Sequence, residues 1–417
     1  MKKPPSAIII GGSVGGLLAA CLLDRIGWNV TVYERSAGDL SGRGAGLALS
    51  EDLLDVMRSV GARVDPSTAA AVERVAWIDA SGRIRLEFDR PWLTGAWPKL
   101  YQPIRAVLPN AQYRPGMSFE RVDDHADGVT AFFADGSSAQ ADLLIGADGN
   151  LSTVRRQFLP TVEPRYAGYV AWRGMIEEGA LPASTQELLF GRIVYSFAPG
   201  ELMLTMPIAG AGDDPRPGHR RCYFIWYRPA DAALTAALFT DATGRSQGLS
   251  IPPPLIRPQY VAEMKAAARR LFAPALADVV ERTAQPLLQA ITDLEVPRLT
   301  FGRVVLLGDS AFVARPHVAA GTTKAARDAR ALANSLEAHG DDLPAALADY
   351  DRSQHAFGAA IVAHSRYLGA FLEAPAATTA ASGDIERDPE TLIRAYGAPH
   401  LLRPVDVSAF RVPVERR

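Results

Sequence analysis

Several classes of protein are excluded by what this chain lacks. It has only two cysteines, Cys21 and Cys222. Two thiols build neither a disulfide framework nor a four-ligand zinc site, so a reducing cytoplasm is expected and no metal. Neither sign of charge dominates, with 44 Lys and Arg against 46 Asp and Glu and a net charge of −2. The basic footprint of a nucleic-acid binder is missing. No apolar run is long and unbroken enough to cross a bilayer. One segment imitates an export signal: Lys2 and Lys3 precede an uncharged run, and Leu18-Ala19-Ala20-Cys21 resembles a lipoprotein processing site. Gly11, Gly12, Gly15 and Gly16 interrupt that run and give it a better use.

What is present is ample apolar material, 48% of 417 residues, more chain than one core accommodates comfortably. Residues 6–10 read as a buried strand, 15–26 as a helix and 29–33 as a second strand. Residues 51–60 suggest a helix. Residues 74–89 suggest a hairpin about Ala80-Ser81-Gly82, and 129–133 and 141–145 a further pair of strands. Residues 166–230, rich in aromatic and β-branched side chains, read as a mostly antiparallel sheet. Residues 258–283 and 322–372 read as helical, and 303–307 as another buried strand. After Phe371 the composition turns linker-like, with one short helical piece near 389–396.

Gly11-Gly12-Ser13-Val14-Gly15-Gly16 follows a strand and opens a helix, the context in which such glycines bring backbone N–H groups up to a pyrophosphate. Ser13 stands where the usual pattern has its middle glycine. Glu34 ends the second strand, 23 residues after Gly11, where a carboxylate accepts from a ribose hydroxyl. Arg35 follows it. A strand–helix turn without a ligand is the competing reading, and this segment alone fits NAD as well as FAD.

Two later motifs separate those cofactors. Leu143-Leu144-Ile145-Gly146-Ala147-Asp148-Gly149 is followed by Ser152 and Arg155, and Leu306-Leu307-Gly308-Asp309 by Pro316, Gly321 and Asp328-Ala329. With the glycine turn, these three signatures in order resemble the single-component FAD-dependent aromatic hydroxylases, the p-hydroxybenzoate hydroxylase fold, over roughly residues 6–372. Within that family, the stretches from Tyr166 to Gly174 and from Gly308 to Gly321 look most like the 2,6-dihydroxypyridine 3-hydroxylase branch. The resemblance implies an α/β chain: a Rossmann-like FAD-binding domain with a βαβ start, discontinuous in sequence, an inserted mostly antiparallel β-sheet substrate domain, and a helical C-terminal segment. The expected boundaries are 1–73, 98–165 and 285–372 for the FAD-binding domain, 74–97 and 166–284 for the substrate domain, and 373–417 for linker and tail.

By the same resemblance Asp309 binds the ribityl chain, and Gly321 and Thr322 present N–H groups near the flavin O2. Asp148 belongs to an element linked to FAD and NAD(P)H, and Arg43 matches an arginine near the cofactor. Capping a turn is the plain alternative for Asp148 and for Asp309. Phe312 stands where many relatives have histidine, and Ala319-Ala320-Gly321 where many have Gly-Gln-Gly.

The implied reaction uses FAD, with NADH or NADPH and O2 as cosubstrates, to hydroxylate a small electron-rich hydroxylated aromatic or heteroaromatic, dihydroxypyridine-like, through a flavin C4a-hydroperoxide. An oxidase, a reductase or a Baeyer–Villiger oxygenase on the same fold is the alternative. A homodimer is implied by resemblance only. His317, after Pro316, is the first candidate to orient or deprotonate substrate, because an ordinary imidazole pKa suits that task. Arg173 is a charge among apolar residues and needs a partner. Trp172, Tyr195, Met206, Trp226 and Tyr227 are the candidate pocket walls, with plain core as the competing reading for each.

Overall fold

The computed structural model describes residues 3–38, 40, 46–65, 68–373 and 388–404. Arg43 lies outside the described residues. Among those described, the strands form three sheets. The first runs Thr300–Phe301, Val304–Leu306, Leu143–Gly146, Ser6–Ile10, Asn29–Glu34 and Tyr113–Pro115, all parallel except the first pair. Its middle strands are uninterrupted runs of Ile, Leu and Val because both faces are covered, as a parallel sheet requires. The helices Val14–Arg25 and Gly321–His339 pack together on one face. A three-stranded sheet of Phe119–Asp124, Val129–Phe133 and Ser138–Ala141 packs on the other side. Cys21 is buried inside the first helix, so the lipoprotein-like tetrapeptide is core.

The ten-stranded sheet is mostly antiparallel, with Arg165–Glu177, Arg221–Pro229 and Glu201–Ile208 at its centre. One face rests on the helices Pro258–Leu271 and Pro274–Arg282. The other packs against Val318 and Ala320, Ile361 and Leu368 of the helix Leu343–Gly369, and the segment from Leu392 to Leu402. Three of its strands come from stretches expected in the dinucleotide-binding part: Gly46–Leu49 pairs with Ile84–Ala96, Leu287–Glu295 with Arg165–Glu177, and Phe312–Val313 with Leu287–Glu295.

Other departures have local causes. The expected strand 141–145 is divided between two sheets at Asp142, whose carboxylate accepts from the Ser6 N–H and hydroxyl, both at 2.7 Å. The expected helix 258–283 breaks before Pro274, which has no N–H to continue the ladder. The region 322–372 is two helices, Gly321–His339 and Leu343–Gly369, separated at Gly340, whose φ is +55°.

The segment 388–404 is docked rather than loose. Its helix Pro389–Ala395 ends in carbonyls that the Arg90 guanidinium caps: Ile393 O at 3.1 Å, Arg394 O at 3.2 Å, and Tyr396 O. The His364 ring donates to Ala395 O at 2.9 Å and Arg327 to Leu401 O at 3.2 Å. Arg403 pairs with Asp52 at 2.9 Å and also with Asp55, on the helix Glu51–Ser59. Gly397, at φ +74°, lies so close to Trp92 that a Cβ there would stand 2.2 Å from the indole.

Arg90→Ala removes the cap from three carbonyls at once. We expect faster hydrogen exchange and proteolysis within 389–404, with exchange in the parallel sheet unchanged. Equal protection of 389–404 in variant and wild type would show that Arg90 does not hold the segment.

Candidate active site

Three turns meet at the C-terminal edge of the parallel sheet because Ile10, Gly146 and Leu306 are neighbours in register. The chain leaves those positions as Gly11, Ala147-Asp148 and Leu307-Gly308-Asp309. Packing there is tight enough to dictate glycine. A Cβ on Gly11, at φ +110°, would sit 2.3 Å from the Ala147 carbonyl, and one on Gly16 would sit 2.0 Å from the Gly11 carbonyl. Ser13 N-caps the helix Val14–Arg25 without a side-chain hydrogen bond, so the first-turn N–H groups open onto the cleft.

The cleft has two lobes. The smaller, about 210 Å³, lies between Gly11, Glu34, Arg35 and Asp148. The larger, about 400 Å³, runs from Ser13 past Asp309 to the antiparallel sheet. Ser13, Trp97, Ala147 and Gly149 border both. Glu34 is buried, and its two oxygens accept from the backbone N–H groups of Gly12 at 2.9 Å and Ser36 at 2.8 Å. Arg35 is exposed. The Asp148 carboxylate accepts from the Ser152 hydroxyl at 2.5 Å and from the Thr153 and Val154 N–H groups at 2.7 and 3.2 Å. It therefore caps the helix Thr153–Phe158; burial pushes its pKa up, and these donors partly offset that.

Asp309 is placed differently. Its side chain is open to the cavity, although protein encloses the site, and that enclosure pushes its carboxyl above the ordinary range. Lys324, behind it, is almost fully buried, donating to Gly308 O at 2.7 Å and to Asp328 at 3.1 Å, while the Gly308 N–H donates to Asp328 at 2.8 Å. The Gly308-Asp309 turn is thus held at both its N–H and its carbonyl. Arg155 ties it to the Asp148 turn, donating to Ser310 O at 3.0 Å and Asn150 O at 2.7 Å. Gly321 and Thr322 begin the long helix, whose N-cap Ala320 offers no side-chain acceptor, so a second set of helix-start N–H groups faces the larger lobe.

These features fit an extended, negatively charged dinucleotide. Donors at two helix starts suit the pyrophosphate and the electron-rich edge of a flavin, and Asp309 is a carboxylate with cavity on one side.

The antiparallel sheet closes the far end. Arg173, Tyr195, Met206 and Tyr227 line the larger lobe. Trp172 and Trp226 do not: they are register partners on neighbouring strands and face the helices 258–282, with the Trp226 N–H donating to Glu201 at 2.7 Å. Alternation along a strand decides this, since Trp172 precedes Arg173 and Trp226 precedes Tyr227. Both tryptophans are core rather than wall. The Arg173 Nε is buried without a hydrogen-bond partner. No carboxylate pairs with Arg173 among the described residues; its charge acts on the buried Tyr223 and Tyr227 hydroxyls.

Pro316 and His317 lie in a short 3₁₀ turn that ends at Ala319 in the left-handed region, φ +49°. His317 is buried, and both ring nitrogens are engaged: Nε2 with the Tyr169 hydroxyl at 2.7 Å and Nδ1 with the Tyr396 hydroxyl at 2.8 Å. Its carbonyl accepts from the Gly397 N–H at 3.2 Å. Burial, with Arg315 and Arg173 nearby, pushes its pKa down to about 3. The ordinary imidazole pKa expected there is not what this environment favours, since burial holds the ring toward its neutral form.

Tyr396, Tyr169, Trp92, Trp97 and Lys324 were not expected at this site. Tyr396 sits in what reads as a tail. Trp92 lies in the part of the hairpin that extends beyond its expected end and Trp97 directly follows it, and Lys324 is masked by its helical context.

His317 has a measurable acid-side consequence. Its folded pKa is depressed, so only the unfolded chain takes up this proton between pH 6.5 and about 3, and folding stability falls as pH drops through that window. In His317→Gln the decline of Tm below pH 6.5 should be shallower than in wild type. Parallel declines would show that this imidazole is not held neutral.

Sequence comparison matches residues 5–175 to the FAD binding domain family and residues 166–293 to an FAD binding domain-like family. The chain is 30% identical over 348 residues to the 2,6-dihydroxypyridine 3-monooxygenase of Paenarthrobacter nicotinovorans, covering 83% of this chain and 86% of the relative. Its fold superposes on the 2,6-dihydroxypyridine-3-hydroxylase of Arthrobacter nicotinovorans with a TM-score of 0.83 at 28% identity, covering 92% of this chain and 96% of the other. It superposes on Klebsiella pneumoniae HpxO, solved with FAD and uric acid, with a TM-score of 0.70 at 27% identity, covering 87% of each. With the cleft and its two helix starts, these likenesses establish that the chain belongs to the FAD-dependent aromatic hydroxylase family and carries that family's FAD-binding fold.

Proposed function

We propose that this enzyme hydroxylates a small hydroxylated heteroaromatic of dihydroxypyridine type, using O2 and NADH or NADPH. The observation that carries the reading is the larger lobe. It joins the N-termini of two helices and Asp309 at one end to a flat aromatic wall bearing Arg173, Tyr195 and Tyr227 at the other. The similar proteins whose names specify dihydroxypyridine, and the one solved with uric acid, support a nitrogen-containing ring.

FAD, reduced by the nicotinamide, supplies the activation of O2. The chain's own residues bind and enclose. Gly11, Ser13 and Gly16 shape the helix start that would receive the pyrophosphate. Glu34, already fixed by two backbone donors, would receive the adenosine ribose beside Arg35. Asp309 would accept from the ribityl hydroxyls, and the N–H groups at Gly321 and Thr322 would serve the flavin's electron-rich edge. Asp148 contributes by capping Thr153–Phe158 and so shaping the throat at Gly149. Pro316 and His317 border the lobe where the ring would lie, and the segment carrying Tyr396 helps exclude water. Among the described residues no helix is long and apolar enough to cross a membrane. Both cysteines are buried free thiols, which suits a cytoplasmic enzyme. Family resemblance adds a homodimer, which sedimentation would test.

Two measurements check this reading. Asp309→Ala loses a charge-assisted hydrogen bond, about 1.5–3 kcal/mol, so FAD should bind at least about tenfold more weakly; unchanged affinity would leave Asp309 a structural turn residue. For activity, the FAD-loaded enzyme should consume NADH or NADPH faster with 2,6-dihydroxypyridine present, take up O2 in step, and release a product heavier by one oxygen. Stimulation by aliphatic ketones alone would point to a different flavin enzyme.

A further inference from the structure

Part of the wall of the larger lobe comes from the docked C-terminal segment. Tyr396 lines that lobe together with Tyr195 of the antiparallel sheet and His317 of the 316–318 turn. Its ring meets both edge to face, with centroids 5.0 Å from Tyr195 and 5.5 Å from His317. The Tyr396 hydroxyl lies 2.8 Å from His317 Nδ1, and the N–H of the next residue, Gly397, donates to His317 O at 3.2 Å. Side chain and backbone are thus both fastened to the turn. Tyr396 is only 3% exposed, so its ring fills the gap between sheet and turn rather than lying over it.

The depth of this plug is fixed. Gly397 packs on Trp92, which also lines the lobe, and a Cβ on Gly397 would lie 2.2 Å from the indole. Its φ of +74° is a conformation that a side chain strains. Leu392 and Ile393, just before Tyr396, are buried in one apolar cluster with Leu368 and Leu372. Pushing the segment outward would therefore expose apolar surface, which opposes the movement.

The space that remains is small for its contents. The larger lobe measures about 400 Å³ and has to accept a flavin ring as well as the substrate. Cavities that hold a single drug-sized ligand start at about 300 Å³. Tyr195 and Tyr227 cannot yield room, because each stands in a β-ladder whose register fixes it. Tyr396 belongs to no ladder. Truncating it would leave a hole with the size and flatness of an aromatic ring, walled by Tyr195 and His317, and an apolar hole of that size admits a free aromatic ring.

We propose that Tyr396 limits this enzyme to monocyclic substrates, its ring occupying the place that the second ring of a fused bicycle would take. The inference rests on the hydroxylase reading above and adds a ring count to the substrate class. Selection works by exclusion: a bicycle would have to displace a side chain held at its hydroxyl and through its neighbour's backbone.

The test compares 2,6-dihydroxypyridine with 1,3-dihydroxyisoquinoline, its benzo-fused counterpart, which keeps both hydroxyls and an open position beside one of them. With FAD-loaded wild type, kcat/KM for NAD(P)H oxidation coupled to an oxygenated product should favour the monocycle by about a hundredfold. In Tyr396→Ala the ratio should fall to about tenfold or less, chiefly through a lower KM for the bicycle. Tyr396→Phe keeps the ring and should keep the preference, which separates the ring from its contact with His317. Gly397→Ala displaces the segment without removing the ring and should relax the preference too. Should Tyr396→Ala fail to retain FAD, Tyr396→Leu and Gly397→Ala carry the same comparison. Equal use of both compounds by wild type, an unchanged ratio in the FAD-loaded truncations, or a lost preference in Tyr396→Phe would overturn the proposal. If neither compound stimulates NAD(P)H oxidation in any form, the hydroxylase reading fails instead. The ring limit is then read from binding alone: the bicycle should perturb the flavin absorbance of Tyr396→Ala and not that of wild type, and the reverse would sink it.

Discussion

The alignment of Ile10, Gly146 and Leu306 across three parallel strands is the constraint on which the rest of the molecule depends. Parallel strands start and stop on the same sides, so the turns that follow them meet at one edge wherever they fall in the chain. That is how segments some 300 residues apart in sequence supply one cleft. The requirement on side chains is severe. Gly146 tolerates nothing larger, because a Cβ would lie 2.9 Å from Val154 and 3.0 Å from Leu306. The Ser310 hydroxyl donates to the Gly146 carbonyl at 2.6 Å, fastening the third turn to the second. The two helix starts face the cleft because they spring from that edge, and their free N–H groups make it a place for negative charge.

The second constraint is electrostatic and lies across the cleft. Lys324 and Arg315 are buried cations, and each has carboxylates within hydrogen-bonding distance, as burial of charge demands. Arg173 breaks that pattern by lining the cavity with no acidic partner among the described residues. A cation kept unpaired at a concave wall costs stability unless something negative arrives. The neutral His317 sharpens the contrast, since the same burial that suppresses its charge leaves Arg173 as the wall's unpaired cation.

Much of the nucleotide end was legible in the sequence. The strand–glycine–helix order, Glu34 at the end of its strand and Asp309 after a buried strand each have a local signature, because backbone conformation and close approach restrict the residues allowed. The substrate end was less legible for three separate reasons. Trp172 and Trp226 could not be told from Arg173 and Tyr227 by composition: alternation says that neighbours face opposite ways but not which face is the cavity. His317 could be placed beside the cavity but its charge state could not be read, since its pKa is lowered first by burial in the folded chain and then by Arg315 and by Arg173, the latter distant in sequence. Asp148 and Asp309 look alike in sequence, each an acid after a strand, yet one is consumed by the cap of Thr153–Phe158 and the other opens to the cavity.

Tyr396 marks the limit most clearly. Residues 388–404 carry only a short helical pattern, and a seven-residue helix is not stable by itself. Its order comes from outside: Arg90 on one sheet strand, His364 and Arg327 on the two long helices, and Asp52 on a fourth helix. None of those partners is marked by a motif, because each supplies an ordinary polar contact that matters only once the chain has folded. The segment most easily read as a tail thus becomes the part of the wall that touches both His317 and the cavity. A linker-like composition before residue 388 has no bearing on whether residues 388–404 dock. Docking is decided by whether buried carbonyls find donors, and here Ile393, Arg394, Ala395 and Tyr396 all do.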